Sequence, residues 1–134
     1  MSENLRKDAD RIIDRAIKES LPDSAVRKAL QEFPETKGKE VLIAVGKAAW
    51  QMADAAYGFL GDRICSGVVV TKYDHSKGPV GPLEIYEGGH PVPDENSYKG
   101  TAAAIKAVEG LKEEDIVLFL VSGGGSSLFE KPLI

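Results

Sequence analysis

The sequence predicts an α/β domain, a largely parallel sheet with helices on both faces, and two observations carry that prediction. Short apolar runs without polar alternation, such as Val41–Val45 and Val68–Val70, alternate with longer segments of helical period. Such a pattern marks strands covered on both faces and joined through helices. In addition, the stretches "GKAAW", "GGHPVPDENS" and "SGGGSS" each begin where an apolar run ends. A parallel sheet would gather all three on one edge, outside the carboxyl ends of the strands, where ligands of such sheets sit.

Taken in order, Leu5, Ala9, Ile12, Ile13, Ala16 and Ile17 recur at helical spacing, with Ser2 as a cap and Leu21-Pro22 closing the run. Asp23 then caps a shorter helix with Val26, Ala29, Leu30 and Phe33 on one face, and Pro34 ends it. "ETKGK" is a turn into the first strand, Val41–Val45. Gly46 follows directly, and from Lys47 to Leu60 the apolar positions Ala49, Met52, Ala53, Ala56, Phe59 and Leu60 return to helical period, with Gly61 suited to the C-cap. Val68–Val70 is the second strand, "KYDHSKGPVGP" a loop, and Leu83–Tyr86 the third strand. The loop from Lys72 to Pro82 is slightly short for a parallel crossover, so a hairpin connection stays open, and it would move the histidine-proline stretch to the opposite edge. Asp94 or Asn96 caps a helix through Leu111 with Tyr98, Ala102, Ile105 and Val108 inward, and a strand over 115–121 delivers the chain to the glycines. The architecture expected is a Rossmann-like three-layer sandwich, one domain spanning 1–134.

With 134 residues, 43% hydrophobic and 28% charged, the chain is long enough to bury a core of its own. A net charge of -4 leaves no basic stripe, which argues against nucleic acid and anionic membrane as partners. The single cysteine, Cys65, cannot form an internal disulfide and is expected to be a small, semi-buried hydrophobe in a reducing compartment. No apolar run approaches a membrane span, and "MSENLRKDADRII" is charged where a signal peptide would be continuously apolar. A cytoplasmic location follows as the expectation.

Three stretches carry the chemistry. Gly123, Gly124 and Gly125 follow a strand and expose backbone N–H groups without Cβ obstruction, as an anion-binding concavity requires, and Ser122, Ser126 and Ser127 offer hydroxyl donors on both sides. The alternative is a flexible tight turn. Lys47, after Gly46, is expected in the first turn of a helix, where a cation costs about 0.3 to 1 kcal/mol unless a bound anion reverses the sign. His90, between Gly89 and Pro91, either lines the pocket or is a hydrogen-bonded structural histidine. Asp94 and Asn96 read as helix caps before ligands, a metal role for Asp94 being the lesser reading. Trp50 and Met52 read as core packing, and His75, in a polar loop, is given no role. The P-loop, dinucleotide-binding and nucleophile-elbow signatures are all missing from the corresponding turns.

As a set, "AVGKAAWQMA", "GVVVTKY", "GGHPVPDENS" and "LFLVSGGGSSLFEKP" resemble the N-terminal part of the glycerate 2-kinase family, whose C-terminal part is the MOFRL domain. The similarity covers nearly the whole chain. It implies a two-domain α/β enzyme, a transferase moving the γ-phosphoryl group of ATP to the 2-hydroxyl of D-glycerate to give 2-phosphoglycerate, with Mg2+ or another divalent metal, in a cleft between domains. By position, Lys47 matches the family's active-site lysine and Ser122–Ser127 its glycine-rich anion-binding segment, with Gly46 beside the lysine; His90 and Asp94 match motif positions. The metal-binding carboxylates belong to the second domain, which this chain lacks, so the 134 residues are expected to be inactive alone. A homodimer is compatible with this picture. Phosphoryl transfer suits these residues, since it asks for positioning and charge neutralisation, not for a covalent nucleophile. Two alternatives stand beside it: a hydroxypyruvate reductase, an older label within the family, and a non-catalytic module binding a small anion.

Overall fold

A computed structural model describes residues 3–133. Helices α1 (Glu3–Ser20) and α2 (Pro22–Leu30) lead into β1 (Glu40–Val45). They are followed by α3 (Ala49–Leu60), a 3-10 turn over Gly61–Arg63, β2 (Ile64–Lys72), β3 (Glu84–Gly88), α4 (Glu95–Ala107), β4 (Ile116–Val121) and the short α5 (Gly125–Leu128). The strands form one four-stranded sheet in the order β3-β2-β1-β4, every neighbouring pair parallel. The hairpin alternative for 72–82 is thereby excluded.

Strand alternation sorts the core into two layers. Leu42, Ala44 and Val69 face α3, where Ala49, Met52, Ala53, Ala56 and α2's Val26 and Leu30 close over them. Val41, Ile43, Val45, Val68 and Val70 face α4. β1 is buried at every position. The β2–β3 crossover has no helix; Val80 and Leu83 seal it into the α3 layer, and Trp50 Nε1 donates to the Gly78 carbonyl at 2.8 Å. β1→β2→β3 steps in one direction and β3→β4 steps back. Right-handed crossovers therefore put α3 and this loop on one face and α4 on the other, as observed. At the opposite edge of the sheet Glu40, 5% exposed, is paired through both carboxylate oxygens with Arg63 at 2.8 and 3.1 Å. The Asp115 carboxylate accepts the amides of Lys39 and Lys112, both at 2.7 Å, which tie the entries of β1 and β4.

Several expectations change. Ser2 lies outside the described residues. Pro22 begins α2 instead of closing the first helix: its missing N–H is an orphan at N1 in any case. Asp23 is therefore not the cap; its carboxylate accepts from Gln51 Nε2 at 3.1 Å. Phe33 lies beyond the end of α2. α4 stops at Ala107, and the residues it buries are Ser97, Gly100, Thr101 and Ala104, with Ala102 and Ile105 exposed. The reason is close approach: a Cβ on Gly100 would sit 2.8 Å from Val70 Cγ2, so the helix presses its small residues on the sheet. Cys65 is exposed, because burial on β2 becomes continuous only from Gly67. α1 forms, but its apolar stripe is uncovered, with Ile12 70% exposed. Alternate residues of β4, Val117, Phe119 and Val121, are likewise exposed on the α4 side.

Leu42 is wholly buried at the centre of the α3 layer. Leu42→Ala is expected to lower stability by about 3 kcal/mol, the mid-range of buried Leu→Ala cavities, read as a lower urea midpoint at unchanged slope. A loss well under 1 kcal/mol would show that this layer collapses freely around the gap.

Candidate functional site

The site is built where β1 ends. Gly46 has φ +119°, and any Cβ there would run into Ser122, so only glycine permits the turn. Its N–H donates to the Val70 carbonyl at 3.1 Å, and that of Lys47 to Gly123 at 2.9 Å. Across the strand pair, the Ser122 amide donates to Val45 at 3.0 Å. The turns after β1 and β4 are thus laced directly to one another.

Lys47 is not in the first turn of the helix. α3 starts at Ala49 with Ala48 as N-cap, and Lys47 lies in the turn ahead of it, its side chain exposed. Periodicity placed the helix correctly but could not see that the lacing of Gly46 and Lys47 delays its start. The cation still stands before the N-terminal end of α3, where the helix dipole favours an anion.

In the glycine loop, Gly124 takes the left-handed conformation with φ +82°, and a Cβ on it would lie 2.6 Å from His90 Nε2 and 3.4 Å from Lys47 Cγ. Gly124, His90 and Lys47 therefore meet. Both ring nitrogens of half-buried His90 lack a protein partner among the described residues, as do the amides of Gly123 and Gly124, whereas Gly125 is buried with its amide on the Ser122 carbonyl at 3.1 Å. Of the three serines, only exposed Ser126 keeps its hydroxyl free. Ser122 Oγ accepts the Ala48 amide at 2.9 Å, which satisfies the start of α3, and Ser127 Oγ donates to Gly124 at 3.1 Å. The expectation of donors on both sides is corrected accordingly, because the fold itself takes two of the hydroxyls.

Asp94 is the N-cap of α4 in a capping box with Ser97; Asn96 is not the cap. Its Oδ1 accepts the Asn96 and Ser97 amides at 3.1 and 3.2 Å, and Oδ2 accepts the Tyr73 hydroxyl at 2.7 Å. The Tyr73 hydrogen bond, chiefly, holds the Asp94 carboxyl below its usual range, and the same bond pushes the Tyr73 hydroxyl up. With both oxygens engaged, Asp94 is poorly placed to ligate a metal, and the described residues contain no group of three or more His, Cys, Asp or Glu that could hold one. These residues do not fit a metal site by themselves. Sequence reasoning missed Thr71, Tyr73 and His75, which brace this edge. The signal available for Thr71 was a hydroxyl directly after the apolar run Val68–Val70.

Comparison with known proteins shows the family and the fold. Residues 8–134 match the model of a domain of unknown function, DUF4147. The chain is 54% identical to the D-glycerate 2-kinase of Thermotoga maritima, covering 98% of this chain and 31% of that protein. It is 44% identical to an Agrobacterium vitis protein named as a hydroxypyruvate reductase, covering 91% of this chain and 27% of the relative. The crystal structure of a Thermotoga maritima glycerate kinase superposes with a TM-score of 0.91 at 54% identity, over 98% of this chain and 31% of that one. The chain thus spans about a third of the length of these relatives.

Two outcomes follow from the geometry. Gly124→Val should abolish phosphate binding measured by calorimetric titration, because a branched side chain meets the His90 ring and resists the positive φ. Unchanged affinity would mean that the glycines only make a turn. The Tyr73–Asp94 bond should stabilise the fold between the two ordinary pKa values. Asp94, with its folded pKa lowered, contributes above 3.8 and loses the contribution as pH falls below that; Tyr73, raised, contributes below 10.0 and loses it as pH rises. The urea-midpoint gap between wild type and Tyr73→Phe should be widest near neutrality and narrow at both extremes. A pH-independent gap would contradict it.

Proposed function

Because this chain belongs to the glycerate 2-kinase family, as the DUF4147 domain of its N-terminal part, we propose that it carries one wall of a site transferring the γ-phosphoryl group of ATP to the 2-hydroxyl of D-glycerate. The observation that carries this reading is the meeting of an exposed Lys47 side chain, the His90 ring and the free Gly123 and Gly124 amides on the carboxyl edge of the sheet. That combination, a cation beside several neutral donors, is suited to holding an anionic group.

ATP, when bound, supplies the phosphoryl group. The chain's part is to hold and neutralise it. The Gly123 and Gly124 amides and the Ser126 hydroxyl donate to phosphate or carboxylate oxygens, and the Lys47 ammonium offsets charge gathering on the equatorial oxygens during transfer. His90, braced against Gly124, lines the opposite side and can donate or accept through either ring nitrogen. Gly46 and the buried Gly125 shape the floor, and Ser122, Ser127 and Asp94 hold the three turns in place. No step here needs a covalent nucleophile, and none is routed through a metal. The proposal extends to the setting: an N-terminal α/β domain over 1–134, working in the cytoplasm opposite a MOFRL-type domain that supplies the other wall. The name of the Agrobacterium vitis relative keeps a reductase as the second reading; following nicotinamide absorbance with hydroxypyruvate separates the two.

Lys47→Ala in the intact gene product should leave the thermal midpoint nearly unchanged, since the side chain is exposed and the tying bonds come from the backbone. Turnover of D-glycerate should fall by about two orders of magnitude or more, the scale of losing one electrostatic donor to a transition state. Near-normal formation of 2-phosphoglycerate would overturn the assignment.

A further inference from the structure

Every backbone polar group of Gly46 and Lys47 is engaged. The two amides go to Val70 and Gly123, as described. The carbonyl of Gly46 accepts the Ala49 amide at 3.1 Å and Thr71 Oγ1 at 2.9 Å. The carbonyl of Lys47 accepts Nδ1 of His75 at 2.8 Å, with Thr71 Oγ1 at 3.4 Å. A carbonyl only accepts, so His75 must carry its proton on Nδ1 here. Lys47 is thereby left with one free element, its long flexible side chain.

The two side chains that grip these carbonyls reach them by different routes. Thr71 is fully buried, the last buried residue of β2, one position after Val70, which already takes the Gly46 amide. His75 stands on an exposed loop and is brought round by Asp74, the one non-glycine residue with positive φ among those described, at +67°. Aspartate is among the few residues that tolerate that conformation. The same turn is closed by the His75 amide on the Lys72 carbonyl at 3.1 Å. A surface histidine reached through an unusual backbone conformation, and ending on the carbonyl of Lys47, calls for a purpose other than core stability.

We propose that Thr71 and His75 are positioning residues for phosphoryl transfer: by holding the carbonyls of Gly46 and Lys47 they fix the point from which the Lys47 ammonium reaches the phosphate. Neither needs to touch substrate. They act through Lys47, and the inference rests on the reading of Lys47 given above. An ammonium on four methylenes has many rotamers, so its useful population depends on an anchored backbone. Misplacing a reacting group by about an ångström can cost up to 10²-fold in rate.

The test is steady-state glycerate phosphorylation by the intact gene product carrying His75→Ala, His75→Asn, Thr71→Val or Thr71→Ser, each repeated on a Lys47→Ala background. His75→Ala should lower kcat by about tenfold while KM for ATP moves much less, the pattern of a group acting in the transition state. His75→Asn should recover most of the loss, its amide nitrogen standing where Nδ1 stood; Thr71→Ser should outperform Thr71→Val for the same reason. On the Lys47→Ala background, His75→Ala should cost nothing more, since coupled residues are non-additive. If Lys47→Ala is impaired but His75→Ala keeps full kcat, the positioning inference is wrong and the proposed function stands. Equal losses with and without Lys47 would also overturn it, by showing that His75 acts elsewhere. If Lys47→Ala is itself normal, both fall. His75 is exposed, so its variants are expected to fold even where Thr71→Val does not.

Discussion

Parallel pairing of β1 with β2 on one side and β4 on the other is the constraint on which the rest of this structure depends. Parallel strands all finish at the same edge, so the turns after β1 and β4 and the start of the loop after β2 become neighbours. The register carries the pairing to the strand ends, with Val45 opposite Val70 on one side and Val121 on the other. The ladder then continues past the strands: Gly46 bonds to Val70, Ser122 to Val45, and Lys47 to Gly123. The site edge is a prolongation of the sheet's own hydrogen bonding, and it inherits the sheet's rigidity.

The polar groups at that edge divide into those the fold uses and those it leaves free. The carbonyls of Gly46, Lys47, Ser122, Gly123 and Gly124 and most hydroxyls are consumed internally; no buried side-chain nitrogen or oxygen lacks a partner among the described residues, as buried polar groups demand. Left unpaired there are the Lys47 ammonium, two glycine amides and the Ser126 hydroxyl, with the His90 ring beside them and the exposed Asp74 carboxylate in the turn after β2. Donors left unpaired on a rigid frame need little reorganisation to meet an anion, and that is the physical basis of the site proposed above. The Asp94 carboxylate, which would repel that anion, is turned to Tyr73 and the first turn of α4 instead.

Much of this was legible in the residues. The unbroken run at Val41–Val45 is buried on both sides because its residues are apolar at every position, and that is visible in one dimension. The three glycine-bearing stretches do follow strands. Errors came where contact distance, not hydrophobicity, decides. α4 turns Gly100 and Ser97 inward because small residues allow closer packing, while a reading of apolar period selects Ile105. Ser122 was expected to face a ligand, yet its hydroxyl serves Ala48, a partner 74 residues away in sequence. His75 carried no sequence signal at all, since its partner is a backbone carbonyl and any residue supplies one.

What the sequence by itself determined is the set of elements, their α/β class, and the residue types at the turns, because periodicity, glycine and proline act locally. The tertiary structure alone decided that β2 and β3 run parallel through a helix-free crossover, which puts the histidine-proline stretch beside Lys47 and the glycines instead of on the far edge. It also decided which of the candidate polar groups are spent and which are free. Hydrogen bonds between turns distant in the chain depend on strand order and register, and those are properties of the whole sheet that no single segment encodes.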